Sequence, residues 1–231
     1  MNYKAYIITM KGREISEELS ADCVASCNKF SVQSEIFDAI QQDAVDITYN
    51  QLQLKPFPGL KSFRDTKGVR GCFCSHYLLW KKCADTNEAL IVFEHDAVII
   101  RPIPQSLMEQ FEDILVLDAH SRTAKNYPER IKEDHGLEIE TKKSGIQNPV
   151  LSIKHYNNIH IKGAHAYIIK PAGAKKLIEF TKKNGVMPAD IQINPVSVDL
   201  KYTKTVFCRI NEKYWLEKSK KSINSYTRTE I

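Results

Sequence analysis

An apolar run interrupted by one acidic triplet constrains the fold more than any other stretch of this 231-residue chain. Residues 89–93 have the length and β-branched content of a buried strand, and continuous apolar runs are typical of parallel strands covered by helices on both faces. Glu94, His95 and Asp96 follow directly. Since ligands of open α/β sheets bind outside the carboxyl ends of the strands, the two carboxylates are positioned to hold a cation, and through it phosphates. A solvated acidic turn is the simpler alternative.

The amino-terminal segment predicts a β-α-β unit. Residues 3–9 predict a first strand, a helix with acidic residues in its first turn follows, and residues 34–37 predict a second strand that ends at Asp38. Such a beginning is typical of a nucleotide-binding half. Neither the G-x-G-x-x-G pattern nor the P-loop pattern occurs, so a dinucleotide enzyme or a P-loop kinase is not expected.

The clearest helix covers residues 68–83, where an apolar stripe includes His76. Periodicity alone favours a core histidine that is satisfied by a backbone partner. Arg70, in the first turn, either reaches a diphosphate or stays solvated, and Ser75 lies off the stripe.

Further segments predict alternating elements downstream. They are a polar connection at 41–68 with room for a short helix, a short helix at 105–112, a strand at 114–117 ending in Asp118, a charged excursion at 119–148, strands at 149–153 and 158–162, a strand after Gly163, a helix from Pro171 to Gly185 and a last strand at 206–210.

Composition and charge narrow the class of protein. No apolar run is long enough to cross a bilayer and no signal peptide is evident, which predicts a cytoplasmic protein. The six cysteines are expected to be free thiols, because cytosolic proteins rarely form disulfides. Their spacings do not form the usual paired zinc knuckles, so a zinc site is not expected. The net charge of +5 suits a polyanion weakly and an anionic small substrate equally well. The basic segment after residue 213 is a solvated terminus, a lid over donor phosphates or a surface-binding strip.

Four segments together resemble glycosyltransferase family 25, which includes bacterial lipooligosaccharide β-galactosyltransferases and animal collagen galactosyltransferases. The resemblance rests on residues 6–13, on residues 71–80, which look like the family's Gly-Cys-x-x-Ser-His-x-x-x-Trp helix, on residues 89–98, and on residues 163–177 with Asp190 behind them. His95 replaces the middle acid of the family's Leu-Glu-Asp-Asp pattern, which preserves the acid-x-acid spacing.

The resemblance implies a GT-A-type α/β fold, with a mixed, mostly parallel central sheet flanked by helices. One domain would span residues 1–231. Residues 1–118 would form a nucleotide-sugar half with the acidic metal motif, residues 119–210 an acceptor half, and residues 211–231 a basic C-terminal tail.

The implied activity is inverting, metal-dependent transfer of a hexose, expected to be galactose, from a UDP-sugar to a glycan, lipid-linked or protein hydroxyl, as in lipopolysaccharide biosynthesis. The metal would be Mn²⁺ or Mg²⁺, with Asp96 as direct ligand and Glu94 on the metal, its bound water or the ribose. Asp190 is the expected general base, with Asp118 and Asp199 as runners-up. Further donor-site candidates are Thr9, Arg13, Asp38, Arg70 and Ser75, and the histidines that could complete the metal shell are His155, His160 and His165.

Other classes of protein stay open. A metal-dependent nuclease or phosphotransferase would also use paired acids, and a non-catalytic sugar-nucleotide-binding module could keep the strands. An enzyme that decorates DNA bases would share the donor chemistry and use the basic tail for docking. Nucleic acid is not the expected partner, while peripheral membrane contact stays open.

Overall fold

The computed structural model describes residues 3–58, 60, 65–118, 139–141, 163–203 and 205–214. The strands predicted at 149–153 and 158–162, His155, His160, most of the 119–148 segment and the tail after residue 214 lie outside the described residues. The elements are β1 (Lys4–Thr9), α1 (Glu14–Lys29), β2 (Ser34–Asp38), α2 (Asp43–Gln51), α3 (Lys67–Thr86), β3 (Leu90–Glu94), β4 (Ala97–Ile99), a 3₁₀ helix (Gln105–Glu109), β5 (Ile114–Val116), β6 (Ile139–Thr141), β7 (Ala166–Ile169), α4 (Pro171–Asn184), α5 (Ala189–Gln192), β8 (Leu200–Thr203) and β9 (Cys208–Ile210).

The described residues form a seven-stranded sheet in the order β2-β1-β3-β7-β5-β8-β6 and a separate two-stranded ribbon of β4 and β9. Strand β1 is parallel to β2 and β3, and β5 is parallel to β8. Strand β7 is antiparallel to both β3 and β5, and β6 is antiparallel to β8. Five of the seven strands therefore run in one direction, and the predicted mixed, mostly parallel sheet is confirmed.

Side-chain alternation divides the core into two layers. On β1, Tyr6 and Ile8 pack with α3 and α4, whereas Ala5 and Ile7 pack with α1 on the other face. The same alternation continues on β3, where Val92 belongs to the α3 layer. Helices thus cover both faces of the central strands, which explains their continuous apolar runs.

The sequence predicted the longer elements well and the short ones poorly. Helix α4 begins at Pro171 and ends before Gly185, whose φ of 94° favours glycine. The helix predicted at 105–112 is a shorter 3₁₀ helix, and the last strand is confined to Cys208–Ile210. Strands β4 and β8 were not predicted, because elements of three or four residues carry too little alternation.

The six cysteines are all free, as predicted. Within the described residues, no helix combines the length and the apolar character that a membrane span requires.

Candidate functional site

The register of the parallel strands brings three strand ends to one edge of the sheet. Ile8 pairs with Glu94, and Thr9 pairs with Asp38. A cavity of about 240 Å³ lies at this edge. Its lining includes Arg13, Cys72, Ser75, His76, Glu94 and Asp96. The crevice outside the carboxyl ends of parallel strands is where α/β sheets bind ligands.

Four of the predicted site residues line this cavity: Arg13, Ser75, Glu94 and Asp96. Ser75 is fully buried on α3, and its Oγ accepts a hydrogen bond from the Ile40 N–H at 2.9 Å. The same hydroxyl donates to the carbonyl of Gly71 at 2.8 Å. Ser75 therefore ties α3 to the connection after β2 and fixes one wall of the cavity.

Three other predicted donor-site residues are not among the residues that line the cavity. Alternation on β1 turns Thr9 toward α1, where its Oγ1 lies 2.7 Å from the Ser20 Oγ. The carboxylate of Asp38 is exposed, 3.6 Å from the Lys11 Nζ.

Arg70, the third of these residues, is held by residues outside its own helix. Its guanidinium donates two hydrogen bonds of 2.8 Å to the carboxylate of Asp65 and lies over the ring of Tyr49. The charge of Arg70 is therefore already compensated within the protein.

Glu94 lies on the α3 face of β3, where alternation continues from Val92. Its Oε1 is 3.2 Å from the His76 Nε2 and 3.8 Å from the Cys72 Sγ. Burial alone would raise the pKa of Glu94, but the hydrogen bond and charge of His76, followed by the charges of His165 and His95, lower it to about 2. The carboxylate is thus held ionised at the cavity wall.

A buried hydrogen-bond chain leads to Glu94. The Trp80 Nε1–H donates to the Tyr167 Oη at 2.9 Å, and the Tyr167 Oη is 2.9 Å from the His76 Nδ1. Because an indole N–H can only donate, Tyr167 is free to donate its own proton to Nδ1, which leaves the Nε2–H of His76 for Glu94. The partners of His76 are therefore side chains, and the backbone partner expected from the sequence is wrong.

Asp96 also lines the cavity, and its side chain is buried, with an exposed fraction of 6%. Burial raises the pKa of Asp96. Among the described residues, its Oδ1 has no hydrogen-bond partner, while its backbone carbonyl accepts from the Asn211 N–H at 2.7 Å. A buried carboxylate oxygen without a partner is costly unless a cation or another donor satisfies it.

His165 pairs with Asp118 and interacts electrostatically with Asp96 and Glu94. Its Nε2 lies 2.8 Å from the Asp118 Oδ2, and both side chains are buried. Burial would lower the pKa of His165, but Asp118, and then Asp96 and Glu94, raise it to about 9. One imidazolium thus balances part of the charge of three carboxylates.

The predicted general base, Asp190, lies in the first turn of α5. Pro188 is the N-cap of that helix, so the Asp190 carboxylate is not used as its cap. Its negative charge contributes to raising the pKa of Cys72, after burial and the charge of Glu94, which indicates that Asp190 lies near this wall of the cavity.

The two runners-up for the base lie at opposite edges of the sheet. Asp118 follows β5, at the carboxyl edge with Glu94. Asp199 precedes β8, which is parallel to β5, and its carboxylate is 3.7 Å from the Lys201 Nζ. Asp199 therefore lies at the amino edge, away from the cavity.

An α/β sheet with a cavity and carboxylates at the carboxyl ends of its parallel strands belongs to the class of α/β proteins that bind ligands at this edge. The sequence profile of Glycosyltransferase family 25 (LPS biosynthesis protein) matches residues 3–193. The chain belongs to this family, and it has the mixed, mostly parallel sheet flanked by helices that the resemblance implied.

One curated relative is the lipooligosaccharide biosynthesis protein lex-1 of Haemophilus influenzae, which is 29% identical over 137 residues. The match covers 54% of this chain and 39% of that protein, so the chain spans only part of the relative's length.

Two solved structures show a weak likeness. The apo form of mouse xyloside xylosyltransferase 1 is 8% identical with a TM-score of 0.37, covering 84% of this chain and 81% of that one. A Drosophila galactosyltransferase 7 complex with manganese, UDP-Gal and xylobiose is 10% identical with a TM-score of 0.36, covering 100% and 81%. Neither likeness is close enough to bear on the function of this chain.

Proposed function

We propose that this chain is a metal-dependent, inverting glycosyltransferase that moves a hexose from a UDP-sugar to a hydroxyl acceptor. The single observation that carries the proposal is the pair Glu94 and Asp96 at the cavity edge, one ionised and the other with an unsatisfied buried oxygen. Membership of glycosyltransferase family 25 supports the reaction class. Galactose is the proposed hexose, because the sequence resembles that family's galactosyltransferases.

The residues at this edge fit a hard divalent cation. Asp96 would be the direct ligand, and Glu94 would hold the metal, its bound water or the ribose. Carboxylate oxygens with phosphates favour Mn²⁺ or Mg²⁺ over zinc. When bound, such an ion stabilises the negative charge that develops on the diphosphate leaving group.

The protein's own groups would orient the two substrates. Arg13 lines the cavity and carries a positive charge that suits an anionic donor. Ser75 holds the cavity wall through its hydrogen bond to Ile40. Asp190 would accept the proton of the acceptor hydroxyl, on the face opposite the leaving group, which is what inversion requires.

The acceptor follows from the family's description. Lipopolysaccharide biosynthesis and the lipooligosaccharide protein lex-1 both favour a bacterial glycan as the acceptor. We therefore propose a glycan hydroxyl, with lipid-linked or protein hydroxyls as alternatives.

The first experiment identifies the donor. Thermal unfolding is measured with a panel of nucleotide sugars, each with and without Mn²⁺. A ligand that binds only the folded protein raises the midpoint, so UDP-galactose with Mn²⁺ should give the largest increase. No shift with any UDP-sugar, with or without Mn²⁺, would refute the donor assignment.

Two variants separate donor binding from transfer. Asp96→Asn should lose Mn²⁺-dependent UDP binding and turnover while it keeps the fold. Asp190→Asn should keep donor binding and lose transfer by about 100-fold or more, the usual scale of a missing general base. Persistent transfer in Asp190→Asn would assign the base to another residue, with Asp118 the next to test.

A further inference from the structure

Cys72, His76 and Glu94 form a second cluster of metal-ligating atoms in the same cavity. One ligand atom from each, including the Cys72 Sγ, lies within 4.8 Å of the other two. Cys72 and His76 are four residues apart on α3, which brings them to one face of the helix, and Glu94 approaches from β3. Two elements, α3 and β3, thus bring three ligand atoms together.

Two of the three distances between the ligand atoms fit a tetrahedral transition-metal site. Zinc bonds of about 2.0 Å to nitrogen and oxygen and about 2.3 Å to sulfur separate the N and O ligands by roughly 3.3 Å and the S and O ligands by roughly 3.6 Å. The protein has 3.2 Å between the His76 Nε2 and the Glu94 Oε1, and 3.8 Å between the Cys72 Sγ and the same oxygen. Little movement would be needed to admit an ion.

The chemistry of the donor set differs from that of Asp96. A thiolate, an imidazole and one carboxylate are the ligands of zinc and similar soft cations, whereas Asp96 offers only oxygen. Because the three side chains also line the cavity, a fourth ligand would come from the cavity. Three protein ligands with one open position are typical of zinc sites that exchange a ligand.

Support from neighbouring residues completes the arrangement. Metal-bound histidines nearly always donate their other ring N–H to a fixed partner, and the Tyr167 Oη lies 2.9 Å from the His76 Nδ1. Trp80 holds that hydroxyl in turn. In the metal-free protein, burial and the charges of Glu94 and Asp190 raise the pKa of the Cys72 thiol and keep it protonated. The same negative charges attract a divalent cation, which would displace the thiol proton when it binds.

We propose that Cys72, His76 and Glu94 bind a soft divalent cation of the zinc type, distinct from the hard cation expected at Asp96. This site does not depend on the proposed transferase activity. Binding releases the thiol proton to solvent and shifts the single ring proton of neutral His76 from Nε2 to Nδ1. The Nε2 lone pair is then available to the ion, and the Nδ1–H donates to the Tyr167 Oη.

The test uses Co²⁺ alone as a spectroscopic substitute for Zn²⁺. The purified metal-free protein, with no nucleotide present, should develop a thiolate-to-cobalt charge-transfer band and intense visible bands of tetrahedral cobalt on titration. One equivalent of Zn²⁺ should abolish both. Cys72→Ser should lose the charge-transfer band, whereas Cys74→Ser, two residues away on the same helix and outside the cluster, should keep it.

Two further variants distinguish the loss of a metal ligand from a general folding defect. Asp96→Asn should retain the cobalt spectrum, because Asp96 is not a ligand of this site. Tyr167→Phe should weaken cobalt binding by about 10- to 100-fold, the usual effect of losing the partner of a metal-bound histidine. Near-ultraviolet circular dichroism checks that each variant is folded.

Three outcomes would overturn the proposal: no charge-transfer band in the unmodified protein, a band that survives in Cys72→Ser, or a cobalt spectrum that disappears in Asp96→Asn. None of them bears on UDP-sugar binding with Mn²⁺, so failure here is distinct from failure of the proposed function.

The two cations would compete for Glu94, a consequence that rests on the proposed function. Zn²⁺ at the Cys72 cluster would draw Glu94 away from the donor. The Mn²⁺-dependent thermal shift by the donor should therefore shrink when Zn²⁺ is added to the unmodified protein and stay unchanged in Cys72→Ser. An equal loss in both proteins would show that Zn²⁺ acts at Asp96 instead.

Discussion

At the scale of single residues, the alternation of side chains along a strand decides which of them face the site. Glu94 continues the α3 face of β3 after Val92, so it meets His76 and Cys72. The Thr9 side chain points to the opposite face of the sheet, where it contacts Ser20 of α1. Both residues end neighbouring strands, and position at a strand end alone did not separate them.

We expect Tyr167→Phe to destabilise the protein. The variant leaves the buried Trp80 indole N–H without its acceptor and the His76 Nδ1 without its partner. An unsatisfied buried donor costs about 1–3 kcal/mol, so urea denaturation should show a loss of this size in the free energy of unfolding. Tyr77→Phe is the matched control. It removes a hydroxyl from the same aromatic cluster, but Tyr77 is not part of the hydrogen-bond chain from Trp80 to Glu94. Equal effects of the two substitutions would contradict the hydrogen-bond chain.

The pair of His165 and Asp118 should make the stability of the metal-free protein depend on alkaline pH. The pKa of His165 rises from 6.5 to about 9 on folding. A raised pKa contributes stability that is fully present below pH 6.5 and is lost as the pH rises through about 9. In chelator, the free energy of unfolding should therefore fall more over this range than it does in His165→Gln. The same pH dependence in both proteins would remove His165 as the cause.

At the scale of elements, prediction from sequence succeeded where a pattern repeats. Helices α3 and α4 carry several turns of periodic apolar residues, and β1 and β3 carry uninterrupted apolar runs, so all four were predicted close to their observed bounds. Strands β4 and β8 are too short to repeat a pattern, and their pairing partners lie far away in the chain. The edge that holds the candidate site could be predicted from the sequence, because topology alone selects the carboxyl ends of the parallel strands.

Helix α3 should tolerate no side chain at Gly71. A Cβ there would lie 2.4 Å from the backbone carbonyl oxygen of Ile40, which cannot move without breaking the Ile40 contact to Ser75. Gly71→Ala should therefore lower the free energy of unfolding by about 1–3 kcal/mol, although alanine normally stabilises a helix interior by about 1 kcal/mol. Asp85→Ala, at an exposed position of the same helix, should change it by less than about 0.5 kcal/mol in the same denaturation assay. A stabilised Gly71→Ala would refute the close approach.

At the scale of the whole molecule, the site depends on contacts between distant parts of the chain. Asp118 meets His165, and the carbonyl of Asp96 accepts from the N–H of Asn211. None of these pairs has a local sequence signal, because each forms only when separate elements pack. The hydrogen-bond chain from Trp80 through Tyr167 to Glu94 was missed for the same reason, even though its residues lie in segments that the resemblance had already selected.

Phe207 should be one of the residues that hold these parts together. It is 2% exposed, its carbonyl accepts from the Ile100 N–H, and its own N–H donates to Leu117. Phe207→Ala should lower the free energy of unfolding by about 3–5 kcal/mol, the usual cost of removing a buried phenylalanine. Phe30→Ala, which truncates a partly exposed ring on the same apolar layer, should cost clearly less. A smaller loss for Phe207 than for Phe30 would contradict this assignment.

The ribbon of β4 and β9 has a practical consequence for anyone who engineers this protein. Family likeness stops at residue 193, yet β9 and Asn211 brace the loop that carries Asp96 from farther along the chain. A shortened or chimeric protein that ends at residue 193 would contain the acidic triplet but would lack β9 and Asn211, which hold its loop in place. Any junction meant to preserve that loop should therefore fall downstream of Asn211.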